Sequence, residues 1–189
     1  SGRAYGMRMG CANFDRESLQ RGVAMTHAAG KKLYVTCNIL PRNRDLEELP
    51  DYFRYLDSTG VDALIISDLG TMELAKVHAP HCALHVSTQF GVVNHATATA
   101  LYRMGASRVV LARELPLEEV RQIRQQTPPQ LELEAFVHGA ICMSYSGRCV
   151  ISNYLADRDA NHGECAQPCR WKYQIVEETR PGLPLTLEQ

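Results

Sequence analysis

Four cysteines, Cys142, Cys149, Cys165 and Cys169, crowd the last third of this 189-residue chain, with gaps of six, fifteen and three residues between them. Thiolates gathered at loop spacing are soft metal ligands. A 4Fe–4S cluster takes four thiolates, commonly from irregular backbone. Gly139, Gly147 and Gly163 give the chain freedom to wrap, and Pro168 stiffens the approach of Cys169. Structural zinc favours two tight hooks, and only Cys165/Cys169 forms one. Four packed thiols with no metal are the third reading, and spacing leaves all three open. The other cysteines, Cys11, Cys37 and Cys82, are scattered through the body and read as small buried hydrophobes.

Positioning such a loop needs a scaffold, and the body alternates helix and strand. Helical spacing is expected over Glu17–Ala29, Leu46–Thr59, Thr71–His78, Asn94–Met104 and Pro116–Gln126. Gly30, Gly60 and Gly105 act as stops, and proline opens the last helix. Strands are expected over Lys32–Ile39, Val61–Asp68, Ala83–Gln89, Ser107–Glu114 and Leu131–His138. The continuous apolar run of Val61–Ile66 suits a parallel strand buried on both faces. Strict alternation implies a parallel sheet with right-handed crossovers.

An open doubly wound sheet and a (β/α) TIM-like barrel both fit. No Gly-x-Gly-x-x-Gly follows a strand, and the polar residues sit at strand C-terminal ends, where barrels carry their sites. These are Asn38, Ser67 and Asp68, Ser87 to Gln89, Arg113 and Glu114, and His138. The expected α/β architecture is therefore a partial barrel over 1–139, a Cys-rich metal-binding segment over 140–173, and a tail or linker over 174–189. Only five strands are clear where a barrel needs eight. A fragment is expected, or a chain that pairs its open sheet edges in a homo-oligomer.

Composition is ordinary for a globular domain, with 45% hydrophobic and 22% charged residues and a net charge of −1. No basic excess marks a general nucleic-acid binder, though a local patch would suffice. No apolar run reaches membrane-span length. Seven cysteines without an apolar leader predict a reducing cytoplasm.

The run Glu134-Ala-Phe-Val-His-Gly139-Ala-Ile-Cys142, with Gly147-Arg-Cys149-Val-Ile-Ser152, resembles the signature of the collagenase-like peptidase family of unassigned catalytic type. The continuation, Asn153-Tyr154, Arg158-Asp159 and Gly163-Glu-Cys165-Ala-Gln-Pro-Cys169-Arg-Trp171, is similar to its tRNA uridine hydroxylation branch. The likeness extends back through Leu64-Ile-Ile-Ser-Asp68, Val86-Ser-Thr-Gln89 and Val110-Leu-Ala-Arg-Glu114. This resemblance implies a barrel-like catalytic region and a 4Fe–4S cluster on the four cysteines. It implies oxygen-independent conversion of a tRNA wobble uridine to 5-hydroxyuridine, with prephenate as hydroxyl source. Related branches hydroxylate a ribosomal RNA cytidine or a ubiquinone precursor, and others carry a protease label. By this resemblance the chain is expected to be a fragment, beginning after the family's usual first strand and ending before its C-terminal domain.

Against that background each polar residue has a role and a plainer alternative. His138 could orient substrate or tune the cluster through a hydrogen bond to sulfur, or be a satisfied strand-end histidine. Glu134 should point into the barrel and pair with Arg113 or Arg148, since an unpaired carboxylate there is costly. Gln89 and Ser87, two apart on one strand face, could meet a substrate's polar edge. Asp68 reads as a helix cap. Arg113 suits the two carboxylates of prephenate. Arg148, Arg158, Arg170 and Lys172, interleaved with Tyr145, Tyr154, Trp171 and Tyr173, suit stacking on unpaired tRNA bases, although Asp157, Asp159 and Glu164 offset the charge. A protease would need more than Ser146 or Ser152 near His138, because no Gly-x-Ser-x-Gly or His-Glu-x-x-His motif is present. A non-catalytic, metal-stabilised scaffold is the remaining class.

Overall fold

A computed structural model describes residues 5–7, 12–139, 141–173, 179 and 182. Cys11 and nearly all of the expected tail lie outside the described residues.

Five short strands, β1 (Tyr34–Cys37), β2 (Ala63–Ile66), β3 (Ala83–Val86), β4 (Ala106–Val110) and β5 (Glu132–Glu134), form one sheet in the order β1-β2-β3-β4-β5, every pair parallel. Consecutive order leaves no point where the sheet reverses, as a doubly wound sheet requires. The helices α1 (Arg16–Ala28), α2 (Asn43–Leu46), α3 (Leu49–Thr59), α4 (Leu69–His78), α5 (His95–Arg103) and α6 (Leu117–Gln126) fill the crossovers and the approach to β1, and α7 (Ile151–Ala156) follows β5.

Local chemistry explains the boundaries. The carboxylate of Asp15 accepts the Ser18 N–H, that of Asp68 accepts Thr71, and the Asn94 side chain accepts Thr97, each at 2.8 Å, so three helices start on a short polar cap. Gly60 closes α3 at φ 82°. The single helix expected over Leu46–Thr59 is two pieces. Pro50 has no N–H and its ring crowds the preceding turn, so a helix restarts with it in the first turn.

The two faces of the sheet differ. Val35 and Cys37, Leu64 and Ile66, Leu84 and Val86, and Val109 join one buried cluster with Leu19 and Val23 of α1, Phe53 and Leu56 of α3, Met72 of α4, Leu101 of α5 and Ile123 of α6. Burial pushes the Cys37 thiol far up, with Cys82 beside it adding to the effect. Cys37 is core, as its neighbours implied.

The opposite face is not the aliphatic surface expected of a sheet buried on both sides. Thr36, Ile65, His85, Arg108 and Glu132 stand in register across all five strands. Arg108 bonds Glu132 at 2.8 Å and lies over the Tyr34 ring, and His85 meets that ring edge-on. Burial, with Arg108 next to it, holds the His85 imidazole down at about 4, so it is neutral at pH 7. Strand β5 covers three of the eight residues expected. Among the described residues it pairs on one side only, and Phe136 to His138 are exposed.

Candidate functional site

Hydrogen bonds knit the C-terminal ends of β1, β2 and β3 into one platform. Ser67 Oγ donates to the Asn38 carbonyl at 2.9 Å, and Asn38 Nδ2 donates to Ser87 Oγ at 3.2 Å. The Gln89 N–H donates back to Ser87 Oγ at 3.3 Å. At the ends of β4 and β5 the Arg113 guanidinium lies 3.9 Å from the centre of the Phe136 ring, a cation–π contact.

Over this platform folds the Cys-rich segment, held by polar contacts at both ends. Ser146 adopts φ 45° and ψ 30°, a strained conformation for a serine. Its N–H donates to Glu114 at 2.6 Å and its hydroxyl to the other carboxylate oxygen at 3.2 Å. Burial works to raise the Glu114 carboxyl, and the Ser146 N–H, the Glu114 N–H, the Ser146 hydroxyl and the Arg113 charge together outweigh it, holding the group below its ordinary value. Gly147 follows at φ +81°, where a Cβ would stand 2.9 Å from Gln89 Nε2. Only glycine seats the loop here.

Farther along, the Asn161 side chain bonds both backbone groups of Cys149, donating to its carbonyl at 3.0 Å and accepting its N–H at 3.3 Å. The Asn161 carbonyl accepts the Leu40 N–H at 2.9 Å. Asp159 pairs with Arg42, and His162 with Asp45 at 3.0 Å. Ser152 Oγ accepts the Ala166 N–H at 2.9 Å, tying α7 to the second cysteine pair.

The result is a cavity of about 610 Å³, lined by the platform and by all four cysteines, Cys142, Cys149, Cys165 and Cys169. All four are free thiols. The Ser144 hydroxyl, against some opposition from burial, and the N–H groups of Ile151 and Ser152 hold the Cys149 thiol below its ordinary value. Cys165 Sγ already accepts the Gln167 N–H at 3.3 Å. Four thiols facing one cavity, one of them acidified, suit a cluster in donor chemistry. Among the described residues no three His, Cys, Asp or Glu stand close enough to hold a metal ion. Binding would therefore have to draw the sulfurs together.

Of the other residues singled out in the sequence, Ser87, Gln89, Arg113 and Glu134 line the same cavity. The ion-pair partner of Glu134 is Arg108, at 3.3 Å, rather than the expected Arg113 or Arg148. Arg108 and Glu134 share the bare face two strand positions apart in register, while Arg113 has left the strand to lie on Phe136. Arg148 instead donates to the Phe90 carbonyl at 3.3 Å. His138, Arg158, Arg170 and Tyr145 are exposed and do not line the cavity. Glu114 and Asn161, the anchors of the segment, were not assigned that role from sequence. A loop's long-range polar partners leave no periodic signal.

Residues 1–188 match the model of peptidase family U32. The chain belongs to this family. A relative from Escherichia coli (strain K12), tRNA hydroxylation protein P, is 45% identical over 173 residues, 92% of this chain and 38% of that protein. Another from the same strain, 23S rRNA 5-hydroxycytidine C2501 synthase, is 37% identical over 177 residues, 94% of this chain and 26% of that protein. The chain thus spans well under half the length of these relatives. A solved structure, the U32 peptidase Mk0906, superposes with a TM-score of 0.57 at 20% identity, covering 69% of this chain and 55% of that one. It supports the α/β fold. The relatives' names point to RNA hydroxylation, and "peptidase" is the name of the family. Ser146 bonds Glu114 and Ser152 bonds Ala166, so neither hydroxyl is paired with a histidine base.

Proposed function

We propose that this U32 chain carries the catalytic part of an oxygen-independent RNA hydroxylase. Its substrate is a tRNA wobble uridine, its product 5-hydroxyuridine, and prephenate its hydroxyl source. One observation carries the reading: four free cysteines and the strand-end polar residues line a single cavity. The relatives' names support it. Consecutive strand order and a polar inner row also favour an arc of a TIM-like barrel, with the site at its C-terminal face.

In this reading Cys142, Cys149, Cys165 and Cys169 would hold a 4Fe–4S cluster, which would supply a redox or Lewis-acid centre. Arg113, at the cavity wall, takes a carboxylate of prephenate, for which a planar guanidinium is suited. Phe136 keeps that cation out of bulk water on one side. Arg158, Arg170, Tyr154 and Trp171, exposed on the Cys-rich segment, take the phosphates and unpaired bases of the anticodon loop. Such a substrate places the protein in the cytoplasm, and no helix among the described residues is long and apolar enough to cross a membrane.

The test is anaerobic incubation with unmodified tRNA and prephenate, followed by mass analysis of the nucleosides. The expected product is uridine carrying one extra oxygen at C5, dependent on prephenate. Hydroxylated cytidine in ribosomal RNA instead would move the substrate to the other branch. Unmodified RNA with released peptides from a protein substrate would contradict the proposal.

A further inference from the structure

Gln89 sits in the 3-10 turn Thr88–Phe90 that follows β3, not on the strand face with Ser87 that the sequence suggested. Its N–H is fixed to Ser87, and its side chain makes no hydrogen bond with any described residue. Its Oε1 is buried without a donor. A buried amide oxygen left unsatisfied is costly and asks for an explanation. Its Nε2 lies against Gly147, which has no side chain to displace it. The loop therefore confines the carboxamide at the cavity wall without satisfying it.

The neighbouring Ser87 hydroxyl accepts from Asn38 Nδ2 and from the Gln89 N–H. Those two bonds use both oxygen lone pairs and leave the hydroxyl proton for another acceptor. Among the described residues the platform thus has an acceptor, an amide donor and a hydroxyl donor without partners, on residues lining one cavity. Oε1, being covered, would meet a ligand once the carboxamide turns. Phe136, with Arg113 on its ring, provides a flat wall in the same cavity.

We infer that Gln89 is the base-reading residue of this site: its carboxamide pairs with the N3–C4 edge of a pyrimidine. A uracil ring presents an N3–H donor beside a carbonyl acceptor, the complement of a carboxamide's oxygen and N–H, in the way Asn and Gln pair bidentately with base edges elsewhere. The pairing would satisfy Oε1 and hold the base by the edge next to C5, leaving the C5–H bond unobstructed. The inference rests on the RNA-hydroxylase reading, and it assigns the recognition step within that reading.

The experiment is a protein–substrate cycle. Affinity is measured for an RNA hairpin carrying either uridine or 3-methyluridine at the target position, with wild-type protein, Gln89→Leu and Gln89→Glu. Hydroxylation is followed on the uridine hairpin in parallel. Wild type should bind the methylated hairpin about tenfold or more weakly, the size of one bidentate base contact. Gln89→Leu should lose about the same on the uridine hairpin and show no further loss on methylation. Gln89→Glu keeps an acceptor for N3–H and should retain part of the discrimination. A methylation penalty of the same size in wild type and Gln89→Leu would overturn the inference, as would no penalty in wild type. Hydroxylation with an unaltered cycle would overturn the inference and leave the function standing. An intact cycle without hydroxylation would do the reverse.

Discussion

The α/β body and the Cys-rich segment are held together by different forces. From Leu19 to Leu131 the chain builds one cluster of aliphatic and aromatic side chains, with Phe53, Leu56 and Leu64 fully buried. From Ile141 to Tyr173 the buried residues are few and small, Ser146, Ser152, Ala160, Gly163 and Pro168, while Met143, Val150 and Tyr154 are largely exposed. The segment is fixed to the body instead by side-chain bonds from Glu114, Asp45 and Arg42 and by the Leu40 N–H on the Asn161 carbonyl, and braced within itself by the Asn161 side chain. Apolar burial supplies a rigid frame. Directional polar contacts seat a loop that brings four cysteines to one cavity, with less stability at stake.

This contrast can be broken most severely in the body. Leu64→Ala should cost about 2–5 kcal/mol, read as a lower denaturant midpoint, because β2 is covered by helices and cannot collapse onto the void. A loss under 1 kcal/mol would mean the body is not the stabilising region. A smaller, local effect is expected from Glu114→Gln. The neutral amide loses the charge-assisted bonds to Ser146, worth about 1.5–3 kcal/mol for a well-made pair and less where solvent reaches it. Global unfolding should scarcely move, whereas hydrogen exchange around Tyr145–Cys149 should rise. Unchanged exchange there would show that the loop is positioned otherwise.

The mildest effect is on acid stability. Burial tends to raise the Asp45 carboxyl, and the Arg42 N–H and His162 outweigh it, so Asp45 lies below its ordinary value, as Glu114 does. A depressed carboxylate contributes stability that is present above its unfolded value, about 4, and is lost as pH falls through the lower folded value. Asp57, Asp62 and Glu132 of the body are held low as well, but the body keeps its apolar cluster. Acidification below about pH 4 should therefore loosen the segment before the body melts, detected as Trp171 fluorescence changing ahead of far-ultraviolet dichroism. Coincident transitions would argue against two separately held regions.

The same division decides what could be read from the sequence. Strand–helix alternation, the Asp68 and Asn94 caps, the glycine stop at Gly60 and the buried Cys37 follow from local patterns, and the structure bears them out. The break before α3 was missed because the apolar spacing masked the demand Pro50 makes on its turn. Arg108, the partner of Glu134, was missed because pairing across strands depends on register, which a single strand does not encode. In the site, the cysteines stood out by spacing. Glu114 and Asn161 did not, since their partners lie 32 and 12 residues away.

The central claim is that the polar-held segment exists to present a cluster. It is tested most directly by anaerobic purification, iron and sulfide analysis, and a visible absorption spectrum, with Cys169→Ala alongside. The account predicts a coloured wild-type protein with about four irons and matching sulfide per chain, and a colourless variant whose body unfolds at an unchanged denaturant concentration. A wild-type protein that stays free of iron and sulfide after anaerobic reconstitution, or that binds about one zinc instead, would contradict it.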